Sequence, residues 1–413
     1  MSRTVSLPQG IALYLGAVIG GGVLLLPGVA ASLAGPASML AWLFDGLLGI
    51  PLALTFAALA SRFPDAGGVA SFTTRAFGGG WGAVIGWFYF FAVVVGMMIV
   101  PLSGAYYASV ALGLTAWQIA LTAEVILFVA VTANYFGLTV SGRLQLVFSG
   151  AVALLLLAAA ASALPDIPHA KWHPFAPHGY LAVGSTALLI FFAFFGWEAI
   201  AHLSAEFRDP RRDVVRATLV AVGLITVLYA GVSVAVVTTG AYGNPVLDRI
   251  SVAEVLGRKV GFHADAAAAT MAICIALATA NAFVAAASRL AYALARDGAF
   301  PGFLFHLSPR GVPRRSVLLI GLLSGIGILL AQLGSLGAET LLIIPNSLAT
   351  ATYIVGTLAA VRLLRSGMRI AAGISCFFCT IVLMFAGPNL LLPVVVAAAA
   401  LTYRQMSLRK RRA

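Results

Sequence analysis

The chain has 413 residues, of which 61% are hydrophobic and only 9% charged, and its mean hydropathy is +1.02. A soluble domain carries about a quarter charged residues to make a wettable surface, so the composition excludes a soluble enzyme or binding module and indicates a polytopic membrane protein. The net charge of +12 does not indicate a nucleic-acid partner, because the basic residues fall in short loops between apolar runs and are not interleaved with aromatic residues.

Apolar segments long enough to cross a bilayer recur along the chain. Twelve spans are predicted, over 10–34, 38–60, 82–111, 117–134, 143–164, 183–206, 214–239, 266–292, 316–333, 339–361, 367–386 and 388–404. The first is read as a retained span and not a cleaved signal peptide: it is long, interrupted by Gly and Pro, and followed by many similar runs. Two connections are long. One, 165–182, is rich in Pro and His; the other, 240–265, either holds a short helix at the membrane surface or is a solvated loop. Cys274, Cys376 and Cys379 all lie in apolar runs, so no disulfide is expected. The Cys376–Cys379 pair reads as two small helix residues, and no metal or other cofactor is expected.

With twelve spans, both termini share a side. That side holds every Lys and Arg except Lys171, Arg249, Arg258 and Lys259, out of 25 in the chain. Positive residues stay on the cytoplasmic side, which predicts cytoplasmic termini in a multi-pass protein of the cytoplasmic (inner) membrane.

Two spans carry residues that weaken a helix at its centre. The first contains GAVIGGGVLLLPG, Gly16 to Gly28. Gly16 and Gly20 alone would make a G-x-x-x-G packing surface. Three adjacent glycines, Gly20, Gly21 and Gly22, followed by Pro27, point instead to a discontinuous helix. The amides that start its second half would attract an anion, and unwound backbone inside a bilayer needs surrounding protein or a cavity. The sixth span contains FFAFFGWEAIAHLSAEF, Phe191 to Phe207, with Gly196 at its centre and the acid Glu198 within the apolar run. Paired irregular segments five spans apart fit an inverted repeat: a single transmembrane domain with five-helix units over 10–164 and 183–361, then two additional helices over 367–404.

Four blocks carry a resemblance: GAVIGGGVLLLPG; RFPDAGGVASFTTRAFGGGWGAVIGW from Arg62; FFGWEAIAHLSAEFRDPRRDVVRA from Phe194; and ASRLAYALARDGAFPGFLFHLSPRGVPRRS from Ala287. Together they resemble the amino acid–polyamine–organocation (APC) superfamily of secondary transporters, and within it most closely the bacterial exporters of methionine and branched-chain amino acids. The resemblance implies an all-α fold of twelve transmembrane helices, a 5+5 inverted repeat plus two. It implies that backbone amides of Gly20, Gly21, Gly22 and Val23 hold the substrate carboxylate, and that carbonyls of Ala17, Val18, Phe192 and Phe195 hold its ammonium. Gly21 stands where many relatives have serine. Met97, Met98, Asn281, Ser347 and Thr350 are candidate pocket residues, and the Met and Phe surface favours a neutral, apolar amino acid as the small-molecule partner.

An intramembrane acid is costly, which makes Glu198 a candidate for proton coupling or gating, with a structural carboxyl as the alternative. His202, one helical turn on, either relays a proton or is a satisfied polar residue at the cytoplasmic mouth. Asp45 and Glu124 read as structural. Several proton-coupled relatives have a lysine where this chain has Val152, so that route is absent; coupling through Glu198, exchange and uncoupled movement all stay open. Import and export are equally compatible with alternating access. A membrane enzyme would need convergent catalytic groups at one depth, and a channel would need a polar ring along a pore; neither pattern is present, and no enzymatic activity is expected.

Overall fold

The computed structural model describes residues 6–63, 67–137, 142–198, 210–260, 263–334 and 338–412. Among them every regular element is helical. The first half holds α1 (Leu7–Val18), α2 (Gly21–Ala34), α3 (Ser38–Arg62), α4 (Gly68–Phe77), α5 (Gly79–Leu112), α6 (Ala116–Phe136) and α7 (Gly142–Ser162). The second holds α8 (Leu181–Ile190), α9 (Pro210–Thr239), α10 (Pro245–Val260), α11 (His263–Arg296), α12 (Arg314–Leu333) and α13 (Ala338–Leu363), followed by α14 (Gly367–Met384) and α15 (Leu391–Arg412).

Local chemistry sets several boundaries. The amide of Ser6 donates to Gln9 Oε1 at 2.9 Å and that of Thr115 to Gln118 Oε1 at 2.8 Å, so α1 and α6 each begin with a reciprocal cap. Among the described residues, ten helical segments are long and apolar enough to cross a membrane. One of them, Gly21–Arg62, is 42 residues long and folds as α2 and α3 around a corner at Gly35–Ala37. Gly35 has φ +64°, and a Cβ there would lie 2.5 Å from Pro177 Cδ; only glycine suits both demands. The Ala37 amide donates to the Phe175 carbonyl at 2.9 Å, so the Pro- and His-rich connection straps this corner. The loop after α3 holds α4, which the hydropathy pattern does not reveal because the helix has only ten residues.

Of the fourteen residues of α2, twelve are buried. It is surrounded by α5, α8, α9, α10 and α11, which makes it the central element. The connection 240–265 contains α10, so of the two readings it is the short helix and not the solvated loop that forms, and the helix is packed into the protein. Ser251, Val252 and Val255 are fully buried, and α10 lies against α2. Close approach is possible because α2 has glycine at the contact: a Cβ on Gly28 would stand 2.5 Å from the Asp248 carbonyl oxygen. At the periphery, α6, α12, α14 and α15 present large apolar side chains outward, as lipid-facing helices must: Phe128 is 70% exposed, Leu333 72% and Leu391 67%.

Gly28→Ala is expected to push α10 off α2, an overpacking cost of about 1–3 kcal/mol, and to lower the thermal midpoint of the purified protein in detergent. Gly223→Ala, inside α9 at a position with no heavy atom within 4 Å of the added Cβ, serves as the control and should not lower it, since alanine favours a helix over glycine.

Candidate functional site

The first break occupies Ile19 and Gly20. The Ile19 amide still bonds to the Leu15 carbonyl at 2.7 Å, but ψ of Ile19 is 82° and the helix stops. Gly20 is extended, and α2 begins at Gly21. The amides of Gly21, Gly22 and Val23 form the first turn of α2, where no i−4 acceptor exists within the helix. Val23 N reaches back to the Gly20 carbonyl at 3.4 Å.

The second break follows α8. After ten residues the helix tightens into a 3-10 turn at Phe191–Phe194, Phe195 turns extended, and Gly196 takes φ +129°. A side chain would strain that conformation, which is why the unwinding centres on glycine.

Backbone groups freed in this apolar interior need partners, and three helices supply them. Tyr229 Oη of α9 lies 3.0 Å from the Val18 carbonyl and 3.1 Å from the Ala193 carbonyl, so one hydroxyl bridges the two breaks. On α13, Asn346 Nδ2 donates to the Leu189 carbonyl at 2.8 Å, and Tyr353 Oη accepts from the Gly196 amide at 3.0 Å. The same Tyr353 hydroxyl donates to Glu198 Oε2. On α5, Tyr107 Oη donates to the Leu24 carbonyl at 2.8 Å.

Where the breaks meet there is a cavity lined by Val18, Gly20, Gly21, Gly22, Gly96, Met97, Phe192, Phe195, Thr279 and Phe283, among others. The space open to the centre of a water molecule is about 20 Å³, room for a water or two. Phe192 keeps it tight: a Cβ on Gly22 or on Gly96 would lie 3.2 Å from the Phe192 ring. A Cβ on Gly21 would collide with Ser103 Oγ of α5, so the glycine row serves close packing as well as bare backbone. Among the described residues, no charged side chain lines the cavity.

Of the residues picked from sequence, Val18, Gly20, Gly21, Gly22, Met97, Phe192 and Phe195 are brought together here. Val23 is fully buried in the first turn of α2 behind the lining, and Ala17 is the penultimate residue of α1. Asn281 is held elsewhere: its Oδ1 and carbonyl accept from Asn134 Nδ2 of α6 at 2.7 and 3.1 Å. Thr279 and Phe283, one turn apart on α11, face the cavity in its place. Met98 packs against Gly327 of α12, and Ser347 Oγ donates to the Ile343 carbonyl of its own helix. His202 lies outside the described residues.

Glu198 is 1% exposed and lines a second, smaller cavity with Gly67, Val69, Tyr89 and Leu290. The two cavities are separated by aromatic rings: Phe195 packs on Tyr89, Tyr353 and Phe283 with centroids 5.5, 5.3 and 6.3 Å apart. Sequence reasoning missed Tyr89, Tyr229, Tyr353, Thr279 and Phe283, because none stands out from its apolar surroundings until the helices are packed.

Tyr229→Phe removes the bridge and strips a partner from two buried carbonyls. It is expected to destabilise the protein by about 1–3 kcal/mol, read as a lower thermal midpoint in detergent, whereas Tyr180→Phe, at a residue 70% exposed, should have no effect.

The amino acid permease family matches this chain over residues 5–408. The uncharacterized amino acid permease YecA of Bacillus subtilis is 34% identical over 407 residues, covering 98% of this chain and 96% of the relative. The L-methionine/branched-chain amino acid exporter YjeH of Escherichia coli is 28% identical over 400 residues, 96% of this chain and 95% of its own length. The branched-chain amino acid permease BcaP of Bacillus subtilis is 28% identical over 337 residues, 72% of this chain and 68% of its own. With ten membrane-length helices among the described residues and a family match along almost its whole length, the chain is a multi-pass membrane protein that belongs to the amino acid permease family.

Proposed function

We infer that the protein is a secondary transporter of neutral, apolar amino acids of the methionine, leucine, isoleucine and valine class, working by alternating access in the cytoplasmic membrane. The observation that carries this reading is the cavity between the two breaks: three glycines beside Phe192, Phe195, Phe283 and Met97, with no charged side chain in the wall among the described residues. Amides at the start of α2 suit a carboxylate, and carbonyls at the ends of the breaks suit an ammonium. The remaining wall suits an apolar side chain and offers no counter-ion to an arginine or a glutamate.

The cavity has to widen to admit such a side chain, and rotation of Phe192 away from Gly22 and Gly96 is the simplest way. The reading groups 10–164 and 183–361 as two inverted five-helix units, with 367–404 as a trailing pair, giving twelve spans and cytoplasmic termini. Export is the direction preferred, in keeping with the name of the Escherichia coli relative; import or exchange through the same site is the alternative.

Glu198 is assigned a coupling or gating role. Its carboxyl lies behind Phe195 and Tyr89 and is tied by Tyr353 to Gly196 in the second break, so gaining or losing a proton would change the bonding of the break itself.

Counterflow of radiolabelled methionine or leucine in proteoliposomes, competed by all twenty amino acids at two pH values, tests the reading. Methionine, leucine, isoleucine and valine should compete and arginine and glutamate should not; absence of saturable counterflow by any of them would overturn it. Glu198→Gln is expected to flatten the pH dependence of transport while the protein still reaches the membrane. An unchanged pH profile would make the carboxyl a structural group.

A further inference from the structure

A third cavity lies beyond Glu198. It is far larger than the central one, about 220 Å³ by the same measure of open space, and is enclosed by α4, α5, α11 and α15. Its lining shares Gly67, Ala70 and Leu290 with the Glu198 cavity. The three spaces therefore form a series, with the Phe195 and Tyr89 rings between the first two. The polar side chains in the outer wall are Ser71, Thr74, Arg296, Asp297 and Arg404.

Arg404 distinguishes this cavity from an ordinary solvated cleft. Its guanidinium lies over Gly79 and Gly80: a Cβ on Gly79 would be 2.6 Å from one of its terminal nitrogens, and one on Gly80 3.6 Å from the other. Glycine at both positions lets the flat group lie against the backbone. The side chain is half-buried yet makes no hydrogen bond or ion pair with any described residue, whereas its neighbour in the wall, Arg296, is bonded to Asp297 at 2.8 Å. Tyr403, the preceding residue, packs on Trp87 of α5 with centroids 5.9 Å apart, which fixes where α15 delivers the arginine.

A guanidinium laid against backbone at the edge of a cavity is a ready partner for a planar oxyanion. We propose that this outer cavity is a way-station for the transported amino acid, in which Arg404 holds the substrate carboxylate before the molecule passes Glu198 to the central site. This rests on the transport reading above and adds a function for α15, the last helix among the described residues, which packs chiefly on α5 and α13. The wall carries one cation without a described partner, Arg404, beside the Arg296–Asp297 ion pair, so its free charge suits a carboxylate; the substrate leaves these side chains behind on moving inward, where backbone alone receives it.

The same guanidinium chemistry would hold an anionic lipid headgroup, so the test separates the two. Leucine counterflow is measured in vesicles of phosphatidylcholine and phosphatidylethanolamine, with and without phosphatidylglycerol, and from each face separately, orientation being scored by protease access to a C-terminal tag. Arg404→Gln should raise KM for leucine about ten-fold from the α15 face, the loss of one charge-assisted hydrogen bond, with kcat nearly unchanged, KM from the opposite face unaffected, and the same result in both lipid mixtures. Arg404→Lys should keep most of the affinity, and it is the variant read if the glutamine form does not insert. A KM that is unchanged, or that rises equally from both faces, overturns the proposal while leaving the central site standing. An effect seen only with phosphatidylglycerol makes Arg404 a lipid clamp and also overturns it. Wild-type protein with no leucine counterflow would bring down the transport reading and this one together.

Discussion

The fold is organised around one requirement: main-chain groups released from a helix inside an apolar interior must find hydrogen-bond partners there. Two helices give up their regular bonding near the centre of this protein, and no bulk water is assured at that depth. Tyrosine meets the requirement well, since its ring is apolar enough to be buried and its hydroxyl can both donate and accept. Tyr229 reaches carbonyls from both breaks, while the Tyr353 hydroxyl accepts a hydrogen bond from the Gly196 amide and donates one to Glu198. The surrounding helices are therefore fixed in rotation as well as position, because each has to aim a particular hydroxyl at a particular backbone atom.

The same bonds link structure to motion. Any rearrangement that tilts α1 and α2 relative to α8 stretches the Tyr229 bridge, and any that rewinds the second break disturbs Tyr353 and its carboxylate partner. On the proposed transport reading, a change of access would exchange these few hydrogen bonds. Phe195 belongs to this set as well: it stands between the central cavity and Glu198, and its neighbours Tyr89 and Tyr353 both face that carboxyl. The aromatic barrier and the acid are thus positioned by shared side chains.

Glycine has two jobs here. In the break at Gly20 to Gly22 it bares the main chain, but it also lets neighbours approach to distances no side chain would permit: Ser103 at Gly21, and Phe192 with Ala193 at Gly22. Gly28 does the same for α10, and Gly79 for Arg404. A substitution at any of these sites tests packing and chemistry together, so an interpretable variant changes the partner and leaves the glycine in place.

Much of this was legible in the chain itself. The length of its apolar runs and the scarcity of charge determine a polytopic helical membrane protein, since a bilayer accepts little else. The glycine row after Val18 and the Gly196–Glu198 stretch determine where helices fail, because backbone freedom and the cost of a buried acid are local properties. Tertiary structure decided which side chains answer those failures. Thr279 and Asn281 are two residues apart, about 200° around a helix, and only packing settles that the first meets the cavity while the second meets Asn134. The burial of α10, the bridging by Tyr229 and the placement of Arg404 beside Gly79 depend likewise on segments tens to hundreds of residues apart, and hydropathy carries no information about how a helix is rotated against such distant neighbours.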